Sequence, residues 1–210
     1  MLTDPKEIEI ISTAKQKNVR DPKRSRAHFE NIFEDFLKDA PFEGNLLDLG
    51  PGQYDFCELA RLRGGVCTGV DFDSPVIELG KYKGFDVVEM NIQKLVSYKF
   101  EKKFIGVFNK FALNAFWFHE DEALHREFIF SLCKLIEPTG WAWIAPWNGV
   151  PKKVDFSPSQ IEDVLNTQKE TFMENGFTIH NLKKEEAIYY GINGNVANNV
   201  IITKNLIWNV

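Results

Sequence analysis

The chain has 210 residues, a formal net charge of -5, 44% hydrophobic and 26% charged residues, the make-up of a soluble globular protein that buries roughly 70% of its unfolded surface and needs no staples to fold. That length suits one α/β domain, although length alone leaves room for two small ones. The acidic balance argues against a sequence-independent grip on nucleic acid, and the absence of any apolar run near 18 residues argues against a membrane span.

Residues 1–43 read as a helical preface. Ile8, Ile10 and Ile11 form one apolar group, and Phe29, Ile32, Phe33, Phe36 and Leu37 a second with helical spacing. A basic stretch lies between them, with Lys15, Lys17, Arg20, Lys23, Arg24 and Arg26. It reads as a solvated loop and helix face, or as a lid or contact for an anionic substrate. The polar start, Met-Leu-Thr-Asp-Pro-Lys-Glu, lacks the apolar segment of a secretory leader.

From Asn45 the pattern changes. Asn45 to Gly50 is a buried strand stopped by Gly50-Pro51-Gly52. A helix is expected from Tyr54 to Arg63, a strand from Val66 to Val70 ending in Asp71, and a helix from Val76 to Tyr82 with Pro75 at its start. Strands are expected at Phe85 to Met90 and Phe104 to Phe108. A long amphipathic helix, Glu120 to Ile136, is halted by Pro138 and Gly140 before a strand from Trp141 to Ala145. Strand and helix thus alternate over residues 45–145, which predicts a parallel sheet with helices on both faces. A helix from Pro158 to Asn175 follows, and then two segments, Phe177 to Leu182 and Val200 to Trp208, that read as an antiparallel pair at the end of the sheet.

Cys57, Cys67 and Cys133 are odd in number, widely spaced and without a CxxC pair. They point to reduced thiols and a cytoplasmic location rather than to a disulfide framework. No HExxH and no clustered Cys/His ligands appear, so no metal site is expected. The 18 Phe and 5 Trp make either a bulky core or, in part, the walls of an apolar substrate cavity.

The chemistry concentrates at Leu46 to Tyr54. A strand that ends in glycines before a helix lets a ligand approach the backbone closely. Asp48 sits two positions before Gly50, a costly place for a carboxylate without a partner, and a ligand bearing ammonium and sulfonium charge would reward it. Asp71 ends the next strand, where a carboxylate can accept hydrogen bonds from both hydroxyls of a ribose. No GxxxxGK[ST] pattern follows, which excludes a phosphate-cradling P-loop.

Asp48-Leu49-Gly50-Pro51-Gly52 resembles the first motif of the class I, Rossmann-like S-adenosylmethionine-dependent methyltransferases, [DE]-x-G-x-G-x-G, with Tyr54 where the third glycine would stand. Gly69-Val70-Asp71 resembles the second motif, and Glu89-Met90-Asn91-Ile92 sits at the family's adenine contact, with Asn91 in place of an Asp. Phe118-His119-Glu120-Asp121, Leu135 to Trp141 and Glu174-Asn175-Gly176-Phe177 resemble later landmarks of its small-molecule branch. The resemblance spans residues 44–182 and implies a mostly parallel seven-stranded sheet with helices on both faces, an antiparallel C-terminal strand pair and added N-terminal helices. It implies one domain, a lid over 1–43 on a core of 44–210. Its cofactor would be S-adenosyl-L-methionine, bound by Asp48, Gly50, Pro51, Gly52, Asp71, Phe72, Asn91, Ile92 and Asn109, and its acceptor a small molecule.

His119 is the candidate general base, since it has a suitable intrinsic pKa and follows the fourth strand at the sheet edge where ligands bind. It reads also as a residue that shapes the pocket or bonds backbone. His28, His125 and His180 read as structural or exposed. Trp147 and Asn148, after the fifth strand, are candidate substrate contacts. Two other readings stay open: a non-catalytic binder of the same cofactor, and a nicotinamide-dependent oxidoreductase. The second is disfavoured by Asp55 at the third glycine position of G-x-G-x-x-G, where a carboxylate would face a pyrophosphate.

Overall fold

A computed structural model describes residues 2–23, 26–113, 117, 120–147, 157–192 and 200–208. Seven strands form one sheet in the order β3-β2-β1-β4-β5-β7-β6. They are β1 (Gly44–Leu49), β2 (Gly65–Asp71), β3 (Asp86–Glu89), β4 (Phe104–Lys110), β5 (Ile136–Ala145), β6 (Thr178–Asn181) and β7 (Val200–Lys204). The first five run parallel, and β7 lies antiparallel between β5 and β6. The expected α/β sheet with an antiparallel C-terminal pair is what forms.

The helices are α1 (Pro5–Ile11), α2 (Lys17–Arg20), α3 (Ala27–Asp35), α4 (Asp55–Arg61), α5 (Ser74–Tyr82), α6 (Glu122–Leu135), α7 (Pro158–Glu174) and α8 (Lys184–Tyr189), with a short 3-10 turn at Ile92–Val96. Two cores flank the sheet because side chains alternate faces along each strand. On β1, Leu46 enters one core while Leu47 and Leu49 enter the other. The first core takes side chains of α1, α3, α4, α5 and α8, and the second those of α6, α7 and the 3-10 turn.

Aromatic rings fill the first core. Phe56 stacks on Phe108 at 4.2 Å and Phe108 on Trp143 at 4.9 Å. Trp141 lies so close to Gly106 that an added Cβ there would meet its ring at 2.3 Å. The bulky-core reading therefore accounts for most phenylalanines, while Phe72 and Phe111 stay 50% and 47% exposed.

Several boundaries differ from expectation. Strand β4 continues to Lys110, so Asn109 and Lys110 belong to the sheet. The helix before β5 starts at Glu122, where the Asp121 side chain accepts the Leu124 N–H, and β5 begins at Ile136, before Pro138 and Gly140. A register shift between Phe104 and Gly106 absorbs the extra residues. Helix α8 has no counterpart among the expected elements. No helix among the described residues is long and apolar enough to cross a membrane.

Candidate functional site

The C-terminal ends of β1, β2, β4 and β5 open into a cavity of about 650 Å³, within the ~300–1,000 Å³ range of small-molecule sites. Its β1 wall is Asp48, Gly50, Pro51 and Gly52. Gly50 has φ 77° and Gly52 φ 55°, a left-handed conformation that side chains resist. Gly50 also lies against the loop after β4, where an added Cβ would stand 2.1 Å from the Ala112 Cβ. Asp48 is 2% exposed, and its Oδ2 accepts from the Cys57 thiol at 3.5 Å.

Tyr54 shows what replaces the third glycine. It keeps a left-handed φ of 67° as the N-cap of α4. Its ring turns away from the cavity into the core, stacked on Phe85 at 5.2 Å. Gly69 and Gly80 make the room, since a Cβ on either would come within 2.7 Å or 2.1 Å of the tyrosine side chain.

The β2 wall is Asp71, Phe72 and Asp73. Asp71 Oδ1 accepts the Asp73 N–H at 2.9 Å, yet burial outweighs this and pushes its carboxyl pKa up. The Lys15 ammonium stands 4.5 Å above the Phe72 ring. Beyond β3, Asn91 and Ile92 line the cavity, and Asn91 Oδ1 caps the 3-10 turn by accepting the Gln93 N–H at 3.0 Å.

Two expected contacts lie elsewhere. Asn109 is fully buried and absent from the cavity wall. Its Nδ2 donates to the Leu49 carbonyl at 2.7 Å and its Oδ1 accepts the Leu113 N–H at 3.4 Å, so it braces the β1–β4 edge. The alternation along β4 sends the next residue, Lys110, into the cavity instead. Trp147 packs in the second core, edge-on to Phe172, and its Nε1 donates to Gln168 Oε1 at 2.8 Å. His119 and Asn148 lie outside the described residues.

The basic stretch, read from the sequence as a solvated face or as a lid or substrate contact, supplies part of the wall, and the start of α3, which sequence reasoning did not place here, supplies more. Lys15, Gln16, Asn18 and Val19 from the basic stretch, and His28 and Phe29 at the start of α3, line the cavity. His28, expected to be structural or exposed, is half-buried with its ring against Gly191. The stretch is tied to both cavity loops. Gln53 Nε2 donates to the carbonyls of Val19 and Asp21 at 2.8 and 2.7 Å, and Asp73 Oδ2 accepts the Lys15 N–H at 2.7 Å. The basic charge in residues 15–26 was the available signal. Among the described residues no group of three or more His, Cys, Asp or Glu could hold a metal ion.

No protein-family model matches the chain, and no curated protein matches its sequence. Solved structures do match. A TehB-like SAM-dependent methyltransferase from Corynebacterium glutamicum aligns at TM-score 0.55 and 15% identity, covering 96% of this chain and 100% of its own. A SAM-dependent methyltransferase from Archaeoglobus fulgidus aligns at 0.51 and 17%, covering 85% and 93%. The SAM-bound amino pentose methyltransferase CalS10 from Micromonospora echinaspora aligns at 0.52 and 11%, covering 87% and 92%. The chain shares the Rossmann-like fold of these methyltransferases. At these identities the likeness is one of architecture, including the sheet whose C-terminal edge carries the cavity.

Proposed function

We propose that the protein transfers a methyl group from S-adenosyl-L-methionine to a small-molecule acceptor. One observation carries this reading: the glycine turn Gly50-Pro51-Gly52, whose two glycines hold left-handed backbone, and the carboxylate of Asp71 share one cavity on adjacent strand ends. The wall suits the cofactor's parts. Asp71 offers acceptor oxygens for ribose hydroxyls, Asn91 and Ile92 a polar and an apolar edge for a base, and Asp48 a negative charge near the turn. Bound S-adenosylmethionine would supply an activated methyl on a sulfonium.

The chain's own residues then have mostly positioning to do. Holding an acceptor in line can contribute on the order of 7–11 kcal/mol to the barrier. Lys15 to Val19 and His28 to Phe29 wall the cavity from the N-terminal side, and in this reading they form a lid that excludes water and orients the acceptor. His28 is the described histidine on that wall, and His119 remains a candidate base.

A thermal-shift titration with S-adenosylmethionine, S-adenosylhomocysteine, NAD and NADP tests the reading. At about 100 times its dissociation constant a ligand adds roughly 2.7 kcal/mol and raises the midpoint by several degrees. The two adenosyl-sulfur ligands should do so and the two nicotinamides should not. The reverse pattern would assign the cavity to an oxidoreductase.

A further inference from the structure

Two of the three cysteines, ten residues apart and without a CxxC spacing, meet in the first core. Cys57 sits on α4 and Cys67 on β2, and both are buried. Their sulfurs stand 2.6 Å apart, with either thiol able to donate to the other. Neither is on the cavity wall, yet Cys57 is coupled to it. Its Sγ donates to Asp48 Oδ2 at 3.5 Å, and Asp48 lines the cavity beside the glycine turn.

Burial raises the pKa of both thiols, so each keeps its proton at neutral pH. Buried, protonated thiols are slow toward bulky or charged reagents, and neither side chain is open to a large disulfide. Hydrogen peroxide, small and uncharged, is the class of oxidant that suits the place. Closure of the pair asks for side-chain torsion and leaves α4 packed on β2. Its cost falls on Asp48. A disulfide has no S–H, so the carboxylate loses the Cys57 donor. Losing a donor disfavours the charged form of a buried carboxylate, and the charged form is the one that would hold a ligand ammonium.

We propose that Cys57 and Cys67 are a peroxide-sensitive dithiol, whose oxidation to an intramolecular disulfide withdraws a hydrogen bond from Asp48 and weakens ligand binding at the glycine turn. One sulfur attacks the peroxide, the O–O bond breaks, and a sulfenic acid and one water result. The second sulfur displaces that hydroxyl as another water and forms the S–S bond. Two thiols are oxidised, one peroxide is reduced, and both S–H protons end in water. That the ligand is S-adenosylmethionine rests on the methyl-transfer reading; the disulfide does not.

The test uses the full-length chain carrying Cys133→Ser, so that the pair holds the remaining thiols. The reduced protein is treated with hydrogen peroxide, cleared with catalase, unfolded in N-ethylmaleimide and weighed by mass spectrometry. Untreated protein should take two maleimides. Treated protein should take none and be lighter by two hydrogens, and dithiothreitol should restore both thiols. Calorimetric titration with S-adenosylhomocysteine should find the oxidised form about three- to tenfold weaker than the reduced one, the size expected for one lost hydrogen bond. Cys67→Ala keeps the Cys57 donor, so it should bind like the reduced protein and lose the peroxide-induced drop. Should Cys67→Ala fail to fold, Cys67→Ser supplies the same comparison. Two maleimides after peroxide, sulfinic acid in place of the bond, a bond between two chains, or an oxidised form that binds as tightly as the reduced one overturns the proposal. A disulfide in a chain whose reduced form does not bind S-adenosylhomocysteine leaves the dithiol standing and removes the methyl-transfer reading. Binding of that ligand without a disulfide does the opposite.

Discussion

Tyr54 occupies the place of a motif glycine, keeps its left-handed backbone and sends its ring into the core between Gly69 and Gly80. Its hydroxyl is buried without a hydrogen-bond partner, a cost of roughly 1–3 kcal/mol, and burial raises its pKa far above the ordinary phenol value. Tyr54→Phe should therefore leave stability unchanged or raise it by about 1 kcal/mol in denaturant titration, whereas Tyr54→Gly should lose about 3–5 kcal/mol through the cavity it opens. Asp71 is the complementary test of chemistry. Asp71→Ala should weaken S-adenosylhomocysteine binding by at least ~1 kcal/mol, about fivefold. Because burial raises its pKa, wild-type affinity should begin to fall, on acidification, at a higher pH than an ordinary carboxylate would give. Asp48, Gly50, Gly52 and Asp71 were legible in the sequence because a strand–glycine–helix turn is local. Asn109 and Lys110 were not, since one step along a strand reverses the face and the sequence does not say which face carries the ligand.

At the scale of elements, one nearly buried ammonium joins α1 to α4, beside the core packing of Ile10 and Ile11. Lys83 pairs with Glu7 at 3.0 Å and with Glu58, and Glu58 also accepts from Arg26 at 2.7 Å. Burial alone would lower the Lys83 pKa, but the two carboxylates more than offset it and hold it above the ordinary value. Lys83→Met would leave Glu7 and Glu58 without their shared cation, and should cost about 3 kcal/mol. Hydrogen exchange should quicken first in Pro5–Ile11. The alternation of elements over residues 45–145 could be read because apolar runs and turn residues punctuate it. Helix α8 was hidden by its brevity and its Lys-Lys-Glu-Glu start, which shows no apolar period until it packs through Ala187 and Tyr190. The early start of β5 was hidden because Pro138 and Gly140 mark turns in a sequence, and only the register shift against β4 tolerates them in an extended segment.

At the scale of the molecule, acid should find a weak point in the second core. His125 is 1% exposed with neither ring nitrogen bonded, beside Trp147 and Phe172. Burial, and then the Arg126 charge, lower its pKa from 6.5 to about 4. The unfolded imidazole takes up a proton below about pH 6.5 and the folded one only near pH 4. Stability should be full above that window and fall across it, by on the order of 3 kcal/mol. His125→Leu should flatten this limb in denaturation measured from pH 7 to 4. The tethering of residues 15–21 has a consequence of another kind. Its anchors, Gln53 and Asp73, sit on the same two loops that wall the β1 and β2 side of the cavity. With residues 15–21 acting as the proposed lid, a molecule seated there leaves after that stretch peels back, and its residence time reflects that opening as well as its own contacts. Gln53→Ala should shorten that residence several-fold in stopped-flow displacement. If chemistry is fast, the clock of the whole cycle is the unfastening of residues 15–21.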